Sequence, residues 1–250
     1  MLVIARNKRK ERELSTIKTK FLTLLRLGSR RRFILPNGAP KVKKINTIDA
    51  IDICSNKQLM KKHFTRAKIK TAPWFMLSYK DKTNNKIKKM FEKYGKIIAK
   101  HKNSSHGTGI FILETMDDYL NFKRNHDIES YIFEKYYNYS REYRIHVYKN
   151  KCFHAVRKLL KQQENKNKGK HLENCVFINE QNPKFNTPET WDMIKAECIK
   201  ALKACKLDLG CLDVLVNKKG DFLILEVNSN PGLGEKGLQI YKEFLQKELK

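Results

Sequence analysis

Two short apolar runs near the C-terminus, residues 211–216 and 222–227, are rich in Val, Leu and Ile and are separated by Asn217-Lys218-Lys219-Gly220-Asp221. Strand-length runs around a polar, glycine-bearing break predict a β-hairpin. Residues 141–148 alternate polar and apolar, so a strand there sets Glu142, Arg144 and His146 on one face. Residues 149–151 turn, and residues 152–159 return as the partner strand, carrying Arg157. Shorter apolar runs predict strands over residues 2–5, 96–100, 110–113 and 131–137. Residues 22–27 fit either a strand or the end of a helix begun near Ser15. Helical spacing predicts a short helix at residues 48–51, capped by Asn46 or Thr47. It predicts a second over residues 55–64 with Leu59, Met60 and Phe64 as its apolar stripe, and a third over residues 86–94 stopped by Gly95. Residues 67–75 are extended, because Pro73 forbids a helix there. A long helix over residues 188–205 takes Thr187 as N-cap and Pro188 at its first position, with Trp191, Ile194, Cys198, Ile199 and Leu202 facing the core. A last helix covers residues 237–249. Gly28-Ser29 and Pro36-Asn37-Gly38 mark loops, and residues 161–170, KQQENKNKGK, form a polar loop expected to order with substrate.

A chain of 250 residues can bury a sizeable core, as one multi-lobed domain or two small ones. No apolar run reaches the length of a membrane span. The start, MLVIARNKRKEREL, puts its charges after the apolar stretch, the reverse of a secretory signal. Six cysteines (54, 152, 175, 198, 205 and 211) show no CxxC pair and no metal-ligand spacing, which fits reduced thiols in a cytoplasm. Basic residues outnumber acidic ones 53 to 26, for a net charge of +27. Such a field favours a polyanionic partner or acceptor, whether nucleic acid, nucleotide or acidic protein surface. A genome rich in A and T would load the chain with Lys, Asn and Ile in the same way. The basic residues are spread along the chain rather than interleaved with aromatics in one module, so both readings stay open.

The chemistry concentrates in three places. Asp213 and Glu226 interrupt the two apolar runs of the hairpin, and Asn228 shares a face with Glu226. An unpaired carboxylate in apolar company is unfavourable, so a cation should meet the pair; two carboxylates and an amide oxygen are a hard, all-oxygen set suited to Mg²⁺. An edge hairpin with both carboxylates facing water satisfies the pattern as well. Lys100 ends an apolar strand, and Ser104-Ser105-His106-Gly107-Thr108-Gly109 follows before the next strand, a layout that lets backbone N–H groups close over phosphates. It is not a Walker A loop, for no GxxxxGK[ST] occurs. The alternating strand adds Glu142 and Arg144.

The string LDVLVNKKGDFLILEVNSNPGL resembles the metal-binding hairpin of ATP-grasp enzymes, especially the RimK-like and D-alanine–D-alanine-ligase-like carboxylate–amine ligases. The resemblance runs from about Asn56 to the C-terminus. It implies an α+β ATP-grasp fold of two lobes sandwiching ATP. Residues 56–133 would form the small lobe with its glycine-rich loop, 134–250 the large lobe with the metal site, and 1–55 a reduced N-terminal α/β region. Carried over residue by residue, it makes Asp213, Glu226 and Asn228 ligands of two Mg²⁺ ions. Lys57, Lys100, Ser104, Ser105, His106, Gly107 and Gly109 fall at the phosphates, Glu134, Lys135 and Tyr136 at a hinge that reads adenine through its backbone, and Glu142 at the ribose. Arg144 and Arg157 match the arginines that hold the γ-phosphate and an acyl-phosphate, and Asn174 stands where relatives carry an Asn or Arg. The implied reaction joins a carboxylate to an amine, or less often a thiol, with small molecules or peptides as substrates and ATP and Mg²⁺ as cofactors. D-alanine–D-alanine-ligase-like members place an Arg where this chain has Cys211, which favours the RimK-like layout. Two other readings fit the same fold: a small-molecule kinase, and a basic nucleic-acid-binding protein that has lost activity.

Overall fold

In the computed structural model the C-terminal hairpin is part of a five-stranded antiparallel sheet. The structure describes residues 1–5, 9–32, 41–80, 83–104, 107–160 and 175–250. The five-stranded sheet runs in the order β10 (Cys175–Asn179), β9 (Lys151–Leu160), β8 (Arg141–Tyr148), β11 (Leu209–Val216) and β12 (Phe222–Asn228). Its back face is covered by α5 (Trp191–Ala204), α1 (Ile48–Ser55) and α2 (Lys57–Arg66), which bury Trp191, Ile194, Cys198, Met60 and Phe64 against Tyr143, Ile145, Val214 and Ile224. With neighbours on both sides, β11 is buried along its whole length, which is why it reads as an almost unbroken apolar run.

A second sheet of four strands holds β4 (Trp74–Met76), β7 (Tyr131–Lys135), β5 (Ile97–His101) and β6 (Ile110–Leu113), backed by α3 (Asn85–Tyr94) and α4 (Met116–Asn125). A third, parallel sheet of β1 (Leu2–Ile4), β2 (Thr23–Leu25) and β3 (Lys43–Ile45) packs with a 3-10 helix, Arg9–Thr16, against α6 (Glu235–Glu248). The molecule is therefore α+β, with residues 22–27 contributing a strand rather than a helix end. Thr47 caps α1 by accepting from the Ala50 N–H. Asn46, the other candidate cap, has a different task at φ 65°: its amide donates to Arg26 O and Leu209 O, and its oxygen accepts from the N–H groups of Asp208 and Leu209, pinning the N-terminal sheet to β11.

Several features differ from expectation. Helix α2 buries Met60, Lys61 and Phe64 but leaves Leu59 40% exposed, so its stripe is narrower and turned toward a lysine. Its apolar side belongs to the core of the five-stranded sheet rather than to the small four-stranded one. Helix α5 starts at Trp191, not Pro188: Trp191 N–H closes a turn on Pro188 O, and the Thr190 hydroxyl is drawn to Gly220 O. Strand β10 and helix α4 were not anticipated at all. The loop at residues 161–170, the marker Pro36-Asn37-Gly38 and Asn174 lie outside the described residues. No helix among the described residues is long and apolar enough to cross a membrane.

Candidate nucleotide and metal site

The site-facing side of the five-stranded sheet carries its charged groups in register. Asp213 on β11 stands between Arg144 on β8 and Glu226 on β12. A bulge in β12 leaves Leu225 without a partner, so Val214 faces Ile224 while Asp213 faces Glu226; the extra residue is what turns Glu226 and Asn228 onto the same side as Asp213. Arg144 holds Asp213 in a fork, Nε to Oδ1 at 2.8 Å and a terminal nitrogen to Oδ2 at 3.2 Å. The Asn228 amide donates to Asp213 Oδ2 at 3.3 Å and to Glu226 Oε1 at 3.1 Å, so the three side chains touch. Asp213 is 5% exposed, and its carboxyl is pushed up to about 6: burial raises it, Arg144 pulls it down, and Glu226 raises it again.

Burial, with the facing Glu226 carboxylate, outweighs the Arg144 fork, so added positive charge beside Asp213 would be favourable. A divalent cation would supply that charge. Two carboxylates and an amide, which presents its oxygen once turned about its terminal bond, make a donor set that fits Mg²⁺. Among the described residues no cluster of three His, Cys, Asp or Glu has metal-holding geometry, so a metal here would rest on Asp213, Glu226 and Asn228 together with its own waters or phosphate oxygens.

Facing this hairpin is a group of lysines. Lys57 and Lys61 are one turn apart on α2 and so share a face. Lys100 Nζ lies 2.6 Å from Glu134 Oε2, and Lys61 Nζ 3.1 Å from Oε1 of the same carboxylate. Lys57 donates to the Ser104 carbonyl, tying α2 to the loop after β5. Burial lowers the pKa of Lys57, while Glu226 and Glu134 raise it, which puts both the hairpin and β7 within its electrostatic reach. The loop leaves β5 through a bond from His101 N–H to Gly109 O at 2.9 Å, with Gly107 and Gly109 both at positive φ, 77° and 65°. Ser105 and His106 lie outside the described residues.

The hinge candidates divide. Glu134 is 1% exposed and its side chain serves the lysines. The N–H groups of Lys135 and Tyr136 are engaged by Pro73 O at 2.9 Å and Lys96 O at 3.1 Å. The side chain of Lys135 lies over the Tyr94 ring, and the Tyr136 ring lies under Lys96. Beside them Ala72, Leu215 and Leu223 pack with Tyr137, Tyr139 and Leu225 in an apolar patch. Glu142 does face the site, where Lys158 Nζ reaches its two oxygens at 3.0 and 3.2 Å.

Arg157 is not brought to this face. It donates to Lys184 O at 2.7 Å on the opposite side of the sheet. The cause is a bulge in β9: Tyr148 faces Lys151 and Val147 faces Cys152, but beyond the extra Phe153 His146 faces His154, Arg144 faces Val156 and Glu142 faces Lys158. A one-residue slip turns every later side chain over, so Lys158 stands where Arg157 was expected. The sequence reading also missed Lys61, though its i+4 spacing from Lys57 was a usable signal.

Next to Arg144 opens a cavity of about 790 Å³. It is lined by Arg144, His146, His154 and Val156 on the sheet, by Phe177 and Asn179 on β10, and by the segment Gly232–Gly237 with Gln239 and Glu243. Phe177 lies under the Arg144 guanidinium, 5.2 Å from ring centre to carbon.

A family model, the RimK-like ATP-grasp domain, matches residues 54–246. The D-alanine–D-alanine ligase from Bacillus anthracis superposes with a TM-score of 0.63 at 17% identity, covering 82% of this chain and 66% of that one. The D-alanine–D-alanine ligase from Coxiella burnetii gives 0.61 at 15%, covering 82% and 60%. The ATP-grasp ligase PsnB complexed with a minimal precursor gives 0.61 at 14%, covering 82% and 65%. This chain thus spans less than two-thirds of the length of these three proteins. No curated protein matches.

Proposed function

The chain belongs to the RimK-like ATP-grasp family, and from that premise we propose that it is an ATP- and Mg²⁺-dependent ligase joining a carboxylate to an amine through an acyl-phosphate. The observation that carries this reading is the contact of Asp213, Glu226 and Asn228 on the hairpin, with Lys57 in electrostatic reach of both Glu226 and the Lys100–Glu134 pair. Lys57 and Lys100 hold phosphate oxygens, and Gly107 and Gly109 let the backbone beside Ser104 approach them. Glu142 takes the ribose hydroxyls, and the carbonyls of the hinge at Lys135 and Tyr136 face the base, beside the apolar patch around Tyr139. Asp213, Glu226 and Asn228 hold Mg²⁺, with two ions as the expected number. That metal, when bound, neutralises charge on the phosphate oxygens.

The substrate carboxylate bonds to the γ-phosphorus as the bond to ADP breaks. An amine nitrogen then bonds to the acyl carbon, phosphate leaves, and the nitrogen gives up a proton. Arg144 forks onto the acyl-phosphate from Asp213, and stays charged throughout. The cavity beside Arg144 has the volume for a small amine or a peptide end. PsnB has been solved with its precursor peptide PsnA2, and a peptide acceptor suits this chain too.

Hydroxylamine tests the reading. With ATP, Mg²⁺ and a panel of amino acids and acidic peptides, the protein should yield a hydroxamate, the trapped acyl-phosphate. Asp213→Asn and Glu226→Gln should each lower that yield by about 100-fold or more while leaving the fold intact. A phosphorylated alcohol in place of the hydroxamate would make the protein a kinase, and wild-type yields from either variant would remove the metal from this hairpin.

A further inference from the structure

Two ammonium groups share one buried carboxylate, and they are held differently. Lys61 is 1% exposed, and besides its ion pair with Glu134 it donates to the Thr71 hydroxyl, whose own proton goes to Ile224 O at 2.9 Å. It is tethered on both sides inside the protein. Lys100 meets the same Glu134 from the end of β5, where the glycine-bearing loop begins, and its neighbour in sequence, His101, starts that loop. Lys61 and Lys100 together carry one positive charge more than Glu134 balances.

We infer that Lys61 is a positioning residue of the phosphate site: by keeping Glu134 neutralised, it frees Lys100 to leave that carboxylate for a bound phosphate. The inference rests on the nucleotide reading above. A carboxylate as buried as Glu134 cannot be left without a counter-charge. Were Lys61 an apolar residue, Lys100 and Glu134 would form a closed pair, and drawing Lys100 to a phosphate would strand the carboxylate. With Lys61 present, the departure of Lys100 leaves a neutral Lys61–Glu134 pair behind. The charges facing this group from its neighbours are Lys57 on α2 and Glu226 on β12. Burial pushes Glu134 up, yet Lys100 and Lys61 together pull it below its ordinary value, so the carboxylate is ionised and in demand from both sides.

Calorimetric titration with MgADP tests this on the full chain. Lys61→Met keeps the length and volume of the side chain, so the fold should survive. It should bind MgADP at least about tenfold more weakly than wild type. Adding Glu134→Gln removes the carboxylate that traps Lys100, and the double variant should return to within about threefold of wild type. A purely structural role for Lys61 predicts the opposite, a double variant at least as impaired as the single one. Equal affinities for wild type and Lys61→Met, or no recovery in the double variant, would overturn the inference while leaving the nucleotide site standing. A wild-type protein that binds no MgADP would overturn both. If Lys61→Met does not fold, the double variant still decides, since its Lys100, left with no carboxylate to hold it, must bind MgADP if it acts as described.

Discussion

His146 lies two residues beyond Arg144 on the same face of β8, yet its surroundings suit a neutral ring. Its Nδ1 lies 2.7 Å from the Tyr241 hydroxyl, and the ring is buried beside Cys211 and His154. Burial first, then His154 and Arg144, push its pKa down to about 3. In the unfolded chain the imidazole takes a proton below about 6.5, whereas in the folded protein it stays neutral until about 3. Stability from this group is complete above the higher value and is lost as pH falls toward the lower, at up to about 1.4 kcal/mol per pH unit. His146→Gln, which can still accept from Tyr241, should therefore flatten the fall of melting temperature between pH 6.5 and 4. An unchanged slope would show that the acid limb belongs to other groups. At this scale much of the site could be read in the sequence. Asp213 and Glu226 interrupt apolar runs, and a charge in such a run needs a partner. Lys61 stands at i+4 from Lys57, a signal easily lost among so many lysines, and its burial is what singles it out.

Elements were legible where local rules decide them and not where one extra residue does. The hairpin, the stop of α3 at Gly95 and the alternation of β8 follow from turn chemistry, a C-terminal glycine and period two. The bulge at Phe153 follows from none of these, and it alone exchanges Arg157 for Lys158. Helix α4 carried a capping box at Thr115 and Asp118, a local signal that was present and unread. The loop between β5 and β6 gives the test at this scale. Gly109 has φ 65°, and an added Cβ would stand 2.9 Å from His101 Cβ. Gly109→Ala should thus shift the loop off its path and weaken MgADP binding several-fold, with the melting temperature lowered by only a few degrees. Unchanged affinity would mean that the path of this loop does not matter to the phosphates.

At the scale of the molecule, α2 joins the parts. Its apolar side is fixed in the core of the five-stranded sheet, and its lysines reach the four-stranded sheet at Glu134 and the loop at Ser104. The net charge of +27 gave no access to this arrangement, because the site uses only a few cations, set by register and burial. The N-terminal sheet was the least legible part; it is held by Asn46 and α6, contacts remote in sequence. The central claim is that this cleft binds the phosphates of ATP with Mg²⁺ on the hairpin. The most direct measurement is the melting temperature with MgATP, with ATP plus a chelator, and with Lys100→Ala. At ligand about 100 times its dissociation constant, binding adds about 2.7 kcal/mol, roughly 5–10 °C for a chain of this size. Wild type with MgATP should show that rise, and the chelator or Lys100→Ala should remove most of it. A wild-type melting curve unmoved by millimolar MgATP would contradict the account.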